Sequence, residues 1–166
     1  MNRKHILIPL DLVRGSAGAL VFAQQMALEN PLTITLLHVV DLNIAPTISD
    51  VDAQLYAESR AALGRLAKLF FGSEQAARIV VRFGKPVDEI VVEAKNEGAD
   101  MIVLCGPKPA KGLQFFRKRT IQRLLSRVPC PAIVLPHRGK SARALCQEPS
   151  EEAIAFSRAM IRAAAA

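Results

Sequence analysis

Between Gly106 and Pro131 the chain reads GPKPAKGLQFFRKRTIQRLLSRVPCP, directly after an apolar run, Met101 to Cys105, with the character of a buried strand. Glycines placed after a strand let backbone N–H groups approach phosphate oxygens and take up positive φ, and the N-terminus of a following helix adds a favourable dipole. Only part of that chemistry is kept. Gly106 and Gly112 remain, whereas Pro107 and Pro109 each remove a donor and fix φ. Lys108, Lys111, Arg117, Lys118 and Arg119 bring positive charge by side chain instead. The segment reads as a site for a small anionic ligand, of altered design, or as one that has been lost.

Other residues offer weaker chemistry. Asp11 follows an apolar stretch, where a carboxylate accepts from sugar hydroxyls or caps the turn near Gly15 and Ser16. Thr120 offers a hydroxyl to a phosphate or a metal, or back-bonds the preceding helical turn. His38, Asp11 and Ser16 allow a Ser-His-Asp arrangement to be imagined, but no nucleophile elbow accompanies them, and a strand histidine with a satisfied hydrogen bond is the simpler reading. His5 and His137 are expected to be exposed, and no pair of ligands has metal-site spacing. Cys105 and Cys130 read as structural thiols. Phe115 and Phe116 among basic residues superficially resemble a stacking surface for single-stranded nucleic acid, although packing of the helix explains them equally simply; nucleic acid is not favoured as a partner.

These residues need a scaffold. Apolar runs at Ile6 to Leu10, Leu32 to Val40, Ala77 to Phe83, Met101 to Cys105 and Ala132 to Leu135 predict strands, and their near-continuous apolar character predicts a parallel sheet covered on both faces. Helical patterns lie between them at Ser16 to Glu29, Asp50 to Phe71, Val87 to Glu97 and Arg117 to Arg127. Punctuation agrees: Asn30-Pro31, Gly72-Ser73, Pro86, Gly98 and Pro129 stand at the boundaries. Strict alternation gives an open, doubly wound α/β domain with five strands. Ligands of such sheets bind beyond the carboxyl ends of the strands, which places Asp11, the Val39-Val40-Asp41 segment and the basic loop together, with residues 42–49 as a candidate flap.

The 166 residues suffice for one domain, 1–136, and a tail, 137–166. The net charge of +7 is local, because nine basic and no acidic residues lie between Cys105 and Lys140, leaving the remainder at 7 − 9 = −2. Such a field favours anionic partners in general, and a solvated basic face explains it as well. The N-terminal apolar stretch is too short for a signal-peptide core, no run approaches the roughly 18 apolar residues of a membrane span, and three cysteines form no disulfide framework, so a cytoplasmic location is expected.

As an ordered set, ILIPLD ending at Asp11, LLHVVD at 36–41, GKP at 84–86, EGADMIVL at 97–104 and VPCPAIVLP at 128–136 resemble the universal stress protein family. The resemblance spans residues 3–136. It implies a Rossmann-like five-stranded parallel sheet of the adenine nucleotide alpha hydrolase type, a cytoplasmic protein, a homodimer, and either an ATP-binding or a non-binding branch. In the binding branch an Asp after the first strand contacts ribose or base, a Val after the His of the second strand meets adenine, and a G-x2-G-x9-G-S/T motif holds phosphates. By position these are Asp11 and Val39, with Gly106 opening the phosphate motif, Lys108 and Gly112 within it, and Arg119 and Thr120 at its last two positions. Pro109 and Arg119 stand where two of the three glycines should be.

The expected function is therefore stress-response binding without catalytic residues. ATP or a related adenine nucleotide is the leading ligand, and no metal is expected without the nucleotide. The alternative is a non-nucleotide-binding dimeric module whose basic face engages an acidic protein or nucleic acid. Dimerisation is expected through the last strand, which would otherwise leave an open sheet edge. The tail is expected to be a polar linker, His137 to Glu148, and an amphipathic helix from Ser150 to Ala164 with Ile154, Phe156, Met160 and Ile161 on one broad face.

Overall fold

The computed structural model describes residues 3–12, 17–41, 49–106 and 118–135. Five strands form one parallel sheet: β1 (Lys4–Pro9), β2 (Leu32–Val40), β3 (Arg78–Phe83), β4 (Met101–Cys105) and β5 (Ala132–Leu135). Their spatial order is β3-β2-β1-β4-β5. The chain winds outward from β1 to β3, then returns to the other side of β1 for β4 and β5, so the winding reverses between β1 and β4.

Helices α1 (Ala17–Glu29) and α2 (Ser49–Phe71) cover one face, and α3 (Pro86–Asn96) and α4 (Lys118–Leu125) the other. Period-2 geometry makes the central strands apolar throughout. Ile6 and Ile8 point into the α1/α2 layer with Leu20, Leu36 and Leu63, while Leu7 points into the α3/α4 layer with Leu37, Ile90, Ile102 and Leu124. Each such side chain, fully buried, contributes about 1.5–3 kcal/mol.

All five strands and all four helices lie within two residues of their expected bounds at each end. β2, β4 and β5 coincide with them. β1 starts earlier than its apolar run because Lys4 and His5 continue the ladder onto Leu32 and Thr33. This corrects the expectation that His5 is exposed. His5 is only 9% exposed; its Nδ1–H donates to the Glu97 carbonyl at 3.0 Å and Nε2 accepts from Thr35 Oγ1 at 2.8 Å. Backbone bonds to Asp100, 2.8 Å to Oδ2 and 2.9 Å from its N–H, fix it further. A short 3₁₀ turn, Glu74–Ala76, leads into β3 and was not foreseen. Helix α3 opens on Pro86 at its first turn, with Asp88 and Glu89 suited to the dipole there.

Among the described residues, no helix is long and apolar enough to cross a membrane. Of the candidate flap, 42–49, Ser49 is the first residue of α2, whereas residues 42–48, the loop 107–117 with Phe115 and Phe116, and the whole tail lie outside the described residues.

Candidate functional site

The carboxyl ends of β2, β1 and β4 lie side by side, and three of the sequence-predicted residues meet there. Asp11 follows β1, Val39 lies near the end of β2, and Gly106 follows β4. Asp11 is 8% exposed and Val39 2%. Val39 belongs to the α3/α4 layer, so the wall it forms at this edge is the upper surface of a core.

Backbone bonds hold this half in register. The Leu10 N–H donates to the Leu37 carbonyl at 2.8 Å, carrying the β1–β2 ladder to the residue before Asp11. His38 Nδ1–H donates to the Leu10 carbonyl at 2.9 Å, which ties β2 to the same point. Because a carbonyl only accepts, the proton of neutral His38 is on Nδ1. Burial pushes its pKa below the usual 6.5, opposed by the Leu10 hydrogen bond and by the charge of Asp11. A strand histidine satisfied by a hydrogen bond is thus what the fold contains.

Next to Val39 in register is Arg82 of β3. Its guanidinium reaches α3, with Nε 2.6 Å from Glu93 Oε2 and Nη1 3.1 Å from Glu89 Oε2. Burial disfavours that cation, yet hydrogen bonding and charge from Glu93, then Glu89, outweigh it and raise the Arg82 pKa. The corner beyond is Gly84, whose φ of 148° is strained for any residue with a side chain; a Cβ there would also stand 2.8 Å from Glu89 Oε1. The Gly84 N–H then donates to the Val40 carbonyl at 3.0 Å. The GKP block therefore works as a clamp that seats α3 behind Val39. In sequence this block signals only a helix start, since the Arg82, Glu89 and Glu93 spacing carries no recognisable pattern until strand and helix are packed.

The β4–α4 side of this edge is arranged differently. The Gly106 N–H donates to the Leu135 carbonyl at 2.7 Å and so extends the β4–β5 ladder. That donor is spent on the sheet. Arg119 and Thr120, at the last two motif positions, fall inside the first turn of α4, with Arg119 exposed and Thr120 half-buried. Lys108 and Gly112 lie outside the described residues.

Cys105 closes the floor between β4 and α1. Its Sγ accepts from the Ala19 N–H at 3.2 Å, and a Cβ on Gly18 would stand 3.4 Å from it. Burial pushes the thiol pKa up, against the lowering effect of the Ala19 and Gly18 amides, so Cys105 is a protonated packing residue at neutral pH. Cys130, less buried, is raised by burial and by Asp100. Among the described residues no group of three or more His, Cys, Asp or Glu side chains is placed to hold a metal ion.

The model of the universal stress protein family matches residues 2–136. The chain belongs to that family. Solved universal stress proteins share its fold: UspA from Lactobacillus plantarum, with 22% identity and a TM-score of 0.62, covers 81% of this chain and 99% of its own. A family member from Burkholderia pseudomallei has 20% identity and a TM-score of 0.58 over 81% of this chain and 96% of that one. A universal stress protein in complex with cAMP has 17% identity and a TM-score of 0.57 over 83% of this chain and 100% of that one. No match to this chain was found among curated proteins. The strand order and the five sequence blocks are thus those of a universal stress protein domain.

Proposed function

We propose that this universal stress protein binds an adenine nucleotide mainly through its base and sugar, at Asp11 and Val39, and acts by binding without dedicated catalysis. The observation that carries the reading is the contrast at one edge: the β1–β2 half is built and buried, while the first phosphate-loop amide, Gly106 N–H, is engaged by Leu135 at 2.7 Å. A ligand with few phosphates suits that edge. The universal stress protein solved with cAMP supports the choice, because cAMP carries a purine, a ribose and a single phosphate. His38, oriented by a backbone carbonyl, serves the scaffold in this reading. The protein works in the cytoplasm, with residues 1–136 as the binding domain and 137–166 as linker and helix.

A second reading has its own observation. β5 is an edge strand, and Val134 on it and Leu125 on α4 are 37% and 43% exposed. We propose that two copies associate through β5; a dimeric module engaging an acidic partner needs only this. Mass spectrometry of material released by heating freshly purified protein separates the two. An adenine mono- or cyclic nucleotide at a sizeable fraction of the protein supports the binding reading. No nucleotide, together with no calorimetric heat from AMP at millimolar concentration, overturns it in favour of the second.

A further inference from the structure

At the opposite edge of the sheet, toward the start of β3, an open trough of about 890 Å³ runs between α2 and the strand. Its α2 wall is made of Ala57, Ala61 and Gly64, and its other side of Ala77 and Ile79. The position of Gly64 is informative. A Cβ added there would meet Glu74 at 3.5 Å and Ile79 at 3.7 Å, which is ordinary contact, so packing within the domain does not require glycine. Glycine inside a helix costs about 1 kcal/mol relative to alanine. What its absence of a side chain does is leave the trough deeper.

Along this floor stand Arg60, Arg65 and Arg78, with Glu74 the carboxylate among the lining residues; Arg78 is ion-paired with Glu97 at 2.5 Å, and Arg60 and Arg65 are the other cations at the mouth. Arg60 reaches across to the Ile79 carbonyl at 3.3 Å, covering part of the open strand edge. Tyr56, 40% exposed, stands on the same wall and offers an aromatic surface. The trough therefore fits an apolar helix face or strand bearing carboxylates.

The chain supplies such a segment. Residues 150–164 carry Ile154, Phe156, Met160 and Ile161 on one broad face at helical spacing, with Glu152 at the edge of that face and Glu151, Arg158 and Arg162 opposite. A helix of that length is marginal in water and needs a surface to cover its apolar face. Reach is sufficient. From Leu135, crossing four strand spacings and one strand length is roughly 28 Å diagonally. The fourteen residues 136–149 extend to about 46 Å.

We propose that residues 150–164 dock as a helix in the α2–β3 trough of their own chain, with the apolar face on Ala57, Ala61 and Ile79 and Glu152, at the edge of that face, toward Arg60. Occupancy links the two ends of the molecule without touching the carboxyl-edge site, so this inference stands or falls independently of nucleotide binding.

Hydrogen exchange on the full chain tests it, with Ala61→Glu as the blocking variant and Leu69→Glu as the control. Both sites are exposed on α2, and Leu69 is not a trough residue. The amides of 150–164 should exchange at least about tenfold slower than random coil, lose that protection in Ala61→Glu, and keep it in Leu69→Glu. Thermal unfolding of Ala61→Glu checks that the domain is intact; if it is not, Ala57→Glu, at another exposed trough position, is the replacement block. Random-coil exchange of 150–164 in the unaltered protein overturns the proposal, as does protection that survives the block. Protection that disappears on dilution from 100 to 1 micromolar assigns the trough to a second copy and also overturns docking within one chain.

Discussion

The two halves of the carboxyl edge are built on different principles. On the β1–β2 side, Asp11 and Val39 sit on a ladder closed by Leu10–Leu37, His38–Leu10 and Gly84–Val40 hydrogen bonds of 2.8–3.0 Å. On the β4–α4 side, the Gly106 amide belongs to β5, and Arg119 and Thr120 belong to a helix. The first half is the end of a core. It persists because Leu37, Val39 and Ile90 must be buried whether or not a ligand exists. A phosphate cradle depends on backbone freedom at a few glycines with no packing duty, so substitution there removes binding at little cost to folding. On the proposed reading, the site keeps the half that the core requires and lacks the half that only a ligand would require.

The largest effect expected from erasing this difference comes from restoring the missing freedom. Pro109→Gly combined with Arg119→Gly should return two charge-assisted phosphate bonds, roughly 3 to 6 kcal/mol, and raise ATP affinity by about two to four orders of magnitude. Calorimetry reads it, and an unchanged ATP affinity would mean that the cradle is blocked by something other than those two residues. Next, Arg82→Met removes the partner of Glu93, whose side chain is 3% exposed, while that of Arg82 is 28% exposed. Stability should fall by about 3 kcal/mol, the lower end for breaking a buried pair. Urea unfolding checks it; a loss under 1 kcal/mol would show that the clamp behind Val39 is dispensable.

Asp11→Ala touches only the retained half. Losing a hydrogen bond to a charged group costs about 1.5–3 kcal/mol, so AMP should bind about 10- to 150-fold more weakly by calorimetry. Equal AMP binding by this variant would remove Asp11 from the site. The smallest effect is a pH dependence confined to the same half. Because burial depresses the His38 pKa below 6.5, the unfolded chain takes up the proton first as pH falls. The stability contribution of neutral His38 is complete above 6.5 and declines below it. His38→Gln should flatten urea midpoints between pH 7 and 5; midpoints that keep the original slope would assign the acid sensitivity elsewhere.

Much of this was legible in the residues. Unbroken apolar strands such as Ile6 to Leu10 can only be covered on both faces, and Pro86, Gly98 and Pro129 mark chain reversals by steric necessity, so the sheet and the meeting of Asp11, Val39 and Gly106 followed from pattern. Contacts made only after packing did not. His5 was misjudged because its partners, Thr35 and Glu97, are 30 and 92 residues away. The Gly106–Leu135 bond was hidden for the same reason: a glycine next to a basic loop looks available until β5 arrives beside it.

The most direct test is a paired titration of the unaltered protein with AMP and with ATP by calorimetry under one buffer and salt condition. If base and sugar carry the affinity, the two dissociation constants agree within about threefold. A sub-micromolar constant for ATP, a hundredfold or more below that for AMP, would show that the lysines and arginines of the loop have rebuilt the phosphate half, and would contradict the account.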